Sequence, residues 1–427
     1  MDKKYYQTKG TFVRPGRFVT SMLYEPTELT PNSHIGLVCL HSHGNYMGFI
    51  AGEEMAKRGY RILCSSTKGE GETLEDKMLT VKVNVEYMRA LDGIDTVLIL
   101  SHSGGCTLMS AYETAAENGC GIYQGKKQII PMRELGALPA GDGVIFLDSN
   151  WGNAIVTLQS TNPAITDEES GRGLDPEYDL MSSANGYNPD DPLGSDYSRE
   201  FIEKYLLAMQ ERHKRIVDRA LDRLYLIERG LGKFEDDEPF FVSCASPTAP
   251  VKIHAMDLRL MCRTKDAHDL IHADGSITHE IVHALRKRPP QRGTPSSGLK
   301  YGMAGLNTTV KSFLTNYAIR TNGLMNMTAD SFTGADYDST FAATAGNVRH
   351  MKKPTLLIGM SGAQCVLSKE HIFNNLAAED KTLIYVEGAT HMFTPNHDVE
   401  AFPGQFGDTV KLTFDYVDKW ISERTFR

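Results

Sequence analysis

The chain has 427 residues, with 45 Lys plus Arg against 54 Asp plus Glu, a net charge of −9 and a sequence pI near 5.9. That length allows a large buried core and roughly two or three structural units. No strongly basic stretch suits nucleic acid, no apolar run reaches membrane-spanning length, and residues 1–7 lack the apolar segment of a signal peptide. The seven cysteines are scattered and odd in number, which reads as reduced, mostly buried thiols of a cytoplasmic protein.

Residues 18–24 read as an early strand after the Arg14-Pro15-Gly16 turn, and 35–40 form a continuous apolar run, the pattern of a strand covered on both faces. That run ends in His41-Ser42-His43-Gly44-Asn45-Tyr46. A helix follows over 49–58, closed by Gly59, then a strand over 60–64, a glycine-rich connection at 68–73 and a helix over 75–91. A strand at 94–98 leads into Ser101-His102-Ser103-Gly104-Gly105, and 107–117 read as a helix rich in Ala and Met. After a loop-like insert at 119–143, residues 144–148 are again a strand. Strands alternating with helices predict a parallel sheet with helices on both faces.

Between 150 and 351 the rhythm changes. Residues 182–195 are a turn-laden loop, and 201–224 a long helix with Phe201, Tyr205, Met209, Ile216, Ala220 and Leu224 as its apolar stripe and Arg212 among its polar residues. Strand-like runs follow at 240–243 and 258–261, then a polar loop at 289–297 and a helical segment over 308–319. The alternation resumes with a strand at 355–359, a helix over 369–378 and a last strand at 381–386. Gly388-Ala389-Thr390-His391 comes next, and an amphipathic helix carries Val410, Phe414, Val417 and Ile421.

Ser103 sits between tight positions at a strand-to-helix turn, the arrangement of a nucleophile elbow. Ser101 replaces the usual first glycine, which a small residue tolerates. The Gly104 N–H opens a helix, where donors lack acceptors and the dipole favours negative charge. A nucleophile beside such a donor is what acyl transfer needs.

His279-Glu280-Ile281-Val282-His283 spells HExxH, the zinc-protease pattern when helical. Here Asp274-Gly275 is a hairpin signal, and Ile277, His279, Ile281 and His283 alternate along a strand, which turns Glu280 to the opposite face. No metal and no cofactor are expected.

The order of these parts resembles the α/β-hydrolase fold superfamily. The resemblance covers 5–150 and 351–427. It is carried by the Ser101–Gly105 elbow, the strand–His–Gly loop at His41–Asn45, the glycine-rich turn at 68–73 and the late Gly-Ala-Thr-His. It implies a core formed by 1–149 and 351–427, a mostly parallel twisted sheet with helices on both faces, and a large mixed α/β cap, 150–350, inserted after the sixth core strand. It implies a triad in the order Ser, acid, His, with Ser103 as nucleophile and His391 as base. The usual acid position after the 355–359 strand holds no carboxylate. Asp148 at the preceding strand end is the first candidate, then Glu387, with Asp336 in the cap a further one. The second oxyanion donor is implied in His43-Gly44-Asn45, beside Gly104.

The function expected is a serine hydrolase acting on an ester, lactone or related acyl bond of a small to medium organic substrate, in a mostly apolar pocket under the cap. Carbon–carbon hydrolysis of a β-diketone-type substrate and amide cleavage run on the same triad. From other classes, an HExxH metallopeptidase and a non-catalytic binding protein of this fold remain as alternatives, the latter favoured by the missing acid after Gly359. A small molecule is the expected partner, with no nucleic acid and no membrane, and homo-oligomerisation is left open.

Overall fold

The computed structural model describes residues 5–69, 71–171, 173–191, 193–245, 252–288 and 305–426. The loop expected at 289–297, residues 1–4, Glu70 of the glycine-rich connection and Pro192 of the turn-laden loop lie outside the described residues.

The first part of the chain forms β1 (Thr8–Gly16), β2 (Val19–Pro26), β3 (Ile35–Cys39), α1 (Ala51–Lys57), β4 (Arg61–Ser65), α2 (Leu74–Ala90), β5 (Thr96–His102), α3 (Gly105–Asn118) and β6 (Gly143–Leu147). The middle forms α4 (Asn153–Ser160), α5 (Arg199–Ile227), β7 (Pro239–Val242), α6 (Ile253–Met256), β8 (Arg263–Ile271), β9 (Ile277–His283), β10 (Leu306–Thr309), α7 (Val310–Asn316), β11 (Arg320–Met327), β12 (Phe332–Asp336) and α8 (Thr344–Asn347). The last part adds β13 (Thr355–Met360), α9 (Leu367–Asn375), β14 (Lys381–Val386) and α10 (Thr409–Ser422).

One sheet holds ten of these strands in the order β1-β2-β4-β3-β5-β6-β13-β14-β8-β9. From β4 through β8 the neighbours are parallel, while β1, β2 and β9 pair antiparallel at the two ends. The continuous apolar runs have the expected cause. Val38 of β3 and Val97 and Ile99 of β5 pack with α2 and α3 on one face, whereas Leu37, Leu98 and Leu100 pack with α1 and α10 on the other. A strand covered on both sides gains from apolar residues at every position.

The middle segment is not confined to a cap. Its β8–β9 hairpin, turning at Asp274-Gly275 as the sequence predicts, extends the core sheet beside β14. Trp151, Phe201, Tyr205 and Met327 share a core with the α2–α3 face, while the second half of α5 joins α7, β7 and β10 in a separate cluster around Ile216, Val242, Phe313 and Tyr317. Among the described residues no helix is long and apolar enough to cross a membrane.

Local differences from the sequence expectation have physical reasons. Residues 258–261 are a turn, not a strand, and the strand begins at Arg263. Leu260 and Met261 are apolar because they are buried, and the Met261 N–H donates to Thr328 O at 2.7 Å, outside any ladder. The helix expected over 308–319 shrinks to α7, because Thr309 ends β10 and caps α7 by accepting from Ser312 N. The β1 strand was not foreseen; its residues are mostly exposed and its pairing with β2 defines it.

Arg212 is fully buried, on the packed face of α5 rather than the polar one. It falls at helical spacing between Met209 and Ile216, so its direction is fixed by the stripe. The guanidinium donates to Glu168 Oε1 at 2.6 Å and Oε2 at 2.7 Å, to Asn162 O at 2.7 Å and to Ser243 O at 2.7 Å. Arg212→Ala would strand two carbonyls and a carboxylate, and it should cost about 2–3 kcal/mol in urea unfolding. A loss within experimental error would show that solvent replaces these bonds.

Candidate active site

From β3 the chain steps to β4 on one side and to β5 on the other, so the strand order reverses between β3 and β5. A crevice opens at the carboxyl ends of strands at such a switch point. Ser103 stands one residue past the end of β5. Its φ of 57° is left-handed, a conformation that costs a side-chain-bearing residue about 1–3 kcal/mol and that surrounding contacts must hold. The Ser103 N–H donates to Leu147 O at 3.1 Å, tying the elbow to β6. Gly104 and Gly105 are required by close approach: a Cβ on Gly105 would lie 2.7 Å from Leu40 O, and one on Gly104 2.8 Å from Asn153 Oδ1. Ser101 fits the first elbow position because its hydroxyl donates to Cys106 Sγ at 3.2 Å.

His391 lies in the turn after β14, held by Thr390 N to Thr394 O at 2.7 Å and Phe393 N to Thr390 O at 2.9 Å. Its Nε2 is 2.8 Å from Ser103 Oγ, and its Nδ1 hydrogen-bonds to Asp148 Oδ2. Asp148 follows β6 at a φ of 43° and is 1% exposed. The three side chains, expected from the sequence, therefore form one hydrogen-bonded series. The other two carboxylates are elsewhere. Glu387 accepts from His272 Nδ1 at 2.7 Å, and Asp336 caps a short turn by accepting from Asp338 N at 3.1 Å. The extended backbone carries Glu387 toward the β8–β9 hairpin, away from the turn that holds His391.

Two positions were not foreseen. Lys369, buried in α9, places Nζ 2.6 Å from Asp148 Oδ1 and donates to Cys365 O at 2.7 Å. Met360 N donates to the same Asp148 oxygen at 3.1 Å. Burial pushes the Asp148 carboxyl up, but Lys369 and His391 more than offset it and hold the group well below the usual carboxylate range. A lysine in a helix usually faces water, so no pattern marked this one. The second is His102, whose Nε2 is 2.8 Å from His391 O and whose Nδ1 is 2.8 Å from Tyr46 OH. Burial holds its ring well below the usual histidine range and so neutral, which makes Nε2–H the donor and Nδ1 the acceptor. It fixes the backbone of the residue that faces Ser103.

The loop after β3 carries the other three residues expected at the oxyanion site. The His43 N–H donates to His41 Nδ1 at 3.0 Å, and the His43 ring bonds Ser42 Oγ at 2.8 Å and Tyr317 OH. Asn45 Oδ1 accepts from Met47 N at 2.9 Å, and Gly44 O accepts from Ser66 Oγ at 3.4 Å. Of the backbone N–H groups of His43, Gly44 and Asn45, that of His43 is therefore bonded within the loop. Gly104 follows Ser103 directly and stands at the start of α3.

A cavity of about 380 Å³ opens over Ser103, Asp148 and His391. Trp151, Val156 and Ala363 contribute to a lining whose accessible surface is mainly apolar, as expected, and Asn150, Gln159, Lys252, His254, Gln364 and Lys369 add polar groups to it. The HExxH residues lie on β9, where His279 Nδ1 is 2.9 Å from Asp269 Oδ1 and Glu280 alternates to the other face.

A strand order that reverses at β3, an elbow serine after β5, a carboxylate after β6 and a histidine after the last parallel core strand in sequence define the α/β-hydrolase fold, and this chain has that fold. No protein-family model matches the chain, and no curated protein matches it. Among solved structures it is similar to a hypothetical protein from Pseudomonas aeruginosa, at 10% identity over 100% of this chain and 95% of that one, with a TM-score of 0.43. It is similar to Est1E from Butyrivibrio proteoclasticus at 9% identity, over 97% and 98% of the two chains, with a TM-score of 0.40. The alpha/beta hydrolase GrgF from Penicillium sp. sh18 is similar at 9% identity, over 96% of each chain, with a TM-score of 0.43. The fold assignment stands on the strand order and the elbow of this chain.

The Lys369–Asp148 pair gives a pH signature. The folded Asp148 value lies below the unfolded one of about 3.9, so its charge adds stability above that pH which is lost as pH falls through the folded value. Lys369→Met should cost about 2–4 kcal/mol at neutral pH, and the cost should shrink below about pH 4 as Asp148 protonates. Urea unfolding of both proteins at neutral and acid pH measures this, and an equal gap at both would assign Lys369 to packing alone.

Proposed function

We propose that the protein is a serine hydrolase cleaving an ester, lactone or related acyl bond of a small to medium organic substrate, with Ser103 as nucleophile, His391 as base and Asp148 as acid. The single observation that carries the reading is the 2.8 Å approach of His391 Nε2 to Ser103 Oγ with a buried, charged carboxylate on the opposite ring nitrogen. In this mechanism Ser103 Oγ attacks the carbonyl carbon while His391 Nε2 takes its proton. Asp148 accepts from Nδ1–H, which fixes the tautomer and stabilises the imidazolium. The oxygen of the tetrahedral intermediate takes its negative charge toward the Gly104 N–H at the start of α3. Collapse expels the alcohol, protonated by His391. Water, deprotonated by the same ring, then releases the acid and restores Ser103.

His102 and Lys369 serve as positioning residues. One holds the His391 carbonyl and the other keeps Asp148 ionised. The seven cysteines form no disulfide, in keeping with a reducing compartment such as the cytoplasm.

Turnover of p-nitrophenyl acetate and butyrate tests the proposal. Ser103→Ala should fold normally and lose turnover by several orders of magnitude, roughly 10⁴–10⁶. Asp148→Asn should lower it by about 10³ or more, because the ring loses its tautomer control. Glu387→Gln should stay near wild type. Retention of activity by Ser103→Ala would end the reading, and a larger loss for Glu387→Gln than for Asp148→Asn would reassign the acid.

A further inference from the structure

The cavity over Ser103 has a chemistry of its own beyond the three side chains that touch at its floor. Two lysines, Lys252 and Lys369, line it. Asp148 is its only carboxylate among the described residues, and that carboxylate is already bonded by Lys369 and His391. Three residues in the wall keep a buried polar atom with no hydrogen-bond partner among the described residues: Gln159 Nε2, Trp151 Nε1 and His254 Nδ1. All three residues are nearly sealed from solvent, at 2%, 2% and 4% exposure. The amide and indole nitrogens can only donate, so the unmet capacity is for an acceptor. Buried polar groups in a native structure are otherwise almost always satisfied.

We propose that this cavity is an anion subsite and that the substrate is an ester carrying a carboxylate a few carbons from the scissile carbonyl, a half-ester of a short dicarboxylic acid. The proposal rests on the serine-hydrolase reading of Ser103. The nucleophile and the cationic wall share one space of about 380 Å³, within the range that holds a small organic ligand, so the charge and the reacting carbon belong to one short molecule. Lys252 supplies the charge, and burial pulls its ammonium down to about 8, an effect that an anion beside it would oppose. Gln159 and Trp151 line the same cavity, and each holds a donor nitrogen with no partner among the described residues. Arg286 adds positive charge behind the wall. Its guanidinium donates to the carbonyl of Gln364, itself a lining residue, at 2.5 Å. Such a site discriminates by charge, because a neutral ester leaves the buried donors unpaired.

The test compares p-nitrophenyl hydrogen glutarate with p-nitrophenyl valerate, which match in chain length and differ in the terminal carboxylate. The wild-type protein should favour the charged ester by about tenfold or more in kcat/KM. Lys252→Met and, separately, Gln159→Leu should each reduce that ratio several-fold, with circular dichroism reporting that each variant folds. Calorimetric titration of glutarate into Ser103→Ala gives a readout that needs no turnover, and glutarate should bind there more weakly once Lys252→Met is added. A wild-type ratio at or below one, with the valerate ester turned over, overturns the anion subsite and leaves the hydrolase reading intact. No turnover of either ester overturns the hydrolase reading, and the half-ester substrate with it, while the glutarate titration decides the subsite. Binding of inorganic phosphate without binding of glutarate overturns the carboxylate assignment.

Discussion

The structure around the site depends on one buried carboxylate. Asp148 is almost fully removed from water, and a lone charge there would be driven to protonate. It stays ionised because Lys369 from α9, the Met360 N–H at the end of β13 and the His391 ring converge on it. Each partner comes from a different part of the chain. The carboxylate therefore clamps β6, β13, α9 and the turn after β14 into one arrangement. A buried charge is worth its desolvation only when its partners are well placed, so this site is sensitive to each of them.

That clamp would have no use without the strained turn facing it. Ser103 holds a left-handed φ, and the two glycines after it let the loop following β3 pass within contact distance of the helix start. His102 adds a second tie, since its neutral ring bridges Tyr46 and the His391 carbonyl. Strand end, loop and histidine turn are thus fastened to one another through groups adjacent to the three that meet. The sheet supplies the rigidity: its central strands are apolar on both faces and are covered by helices on each side.

Much of this was legible in the residues. Periodicity marked the parallel strands, because burial on both faces leaves an unbroken apolar run, and the Ser-Gly-Gly turn marked the elbow. The period-two alternation of Ile277, His279, Ile281 and His283 placed HExxH on a strand, where it lies. What was hidden depends on three-dimensional pairing. Lys369 and Arg212 look like surface residues, because nothing local records that a carboxylate waits inside. The resemblance offered three residues, His43-Gly44-Asn45, for the second oxyanion donor, and spacing alone could not reveal that the His43 N–H is bonded within its own loop. The middle segment read as a cap, and its hairpin joins the sheet because the exposed edge of β14 offers a ladder that sequence spacing cannot reveal. The polar groups among the cavity's lining were hidden for the same reason, since Gln159, Lys252 and Gln364 lie far apart in the chain.

The central claim is that Ser103 is a nucleophile activated by His391. A fluorophosphonate probe tests it directly, since the serine oxygen displaces fluoride from phosphorus and leaves a stable adduct. Intact-mass and peptide mass spectrometry of the labelled protein should find one phosphonyl group, on Ser103. An unlabelled protein, or a group carried by another residue, would contradict it.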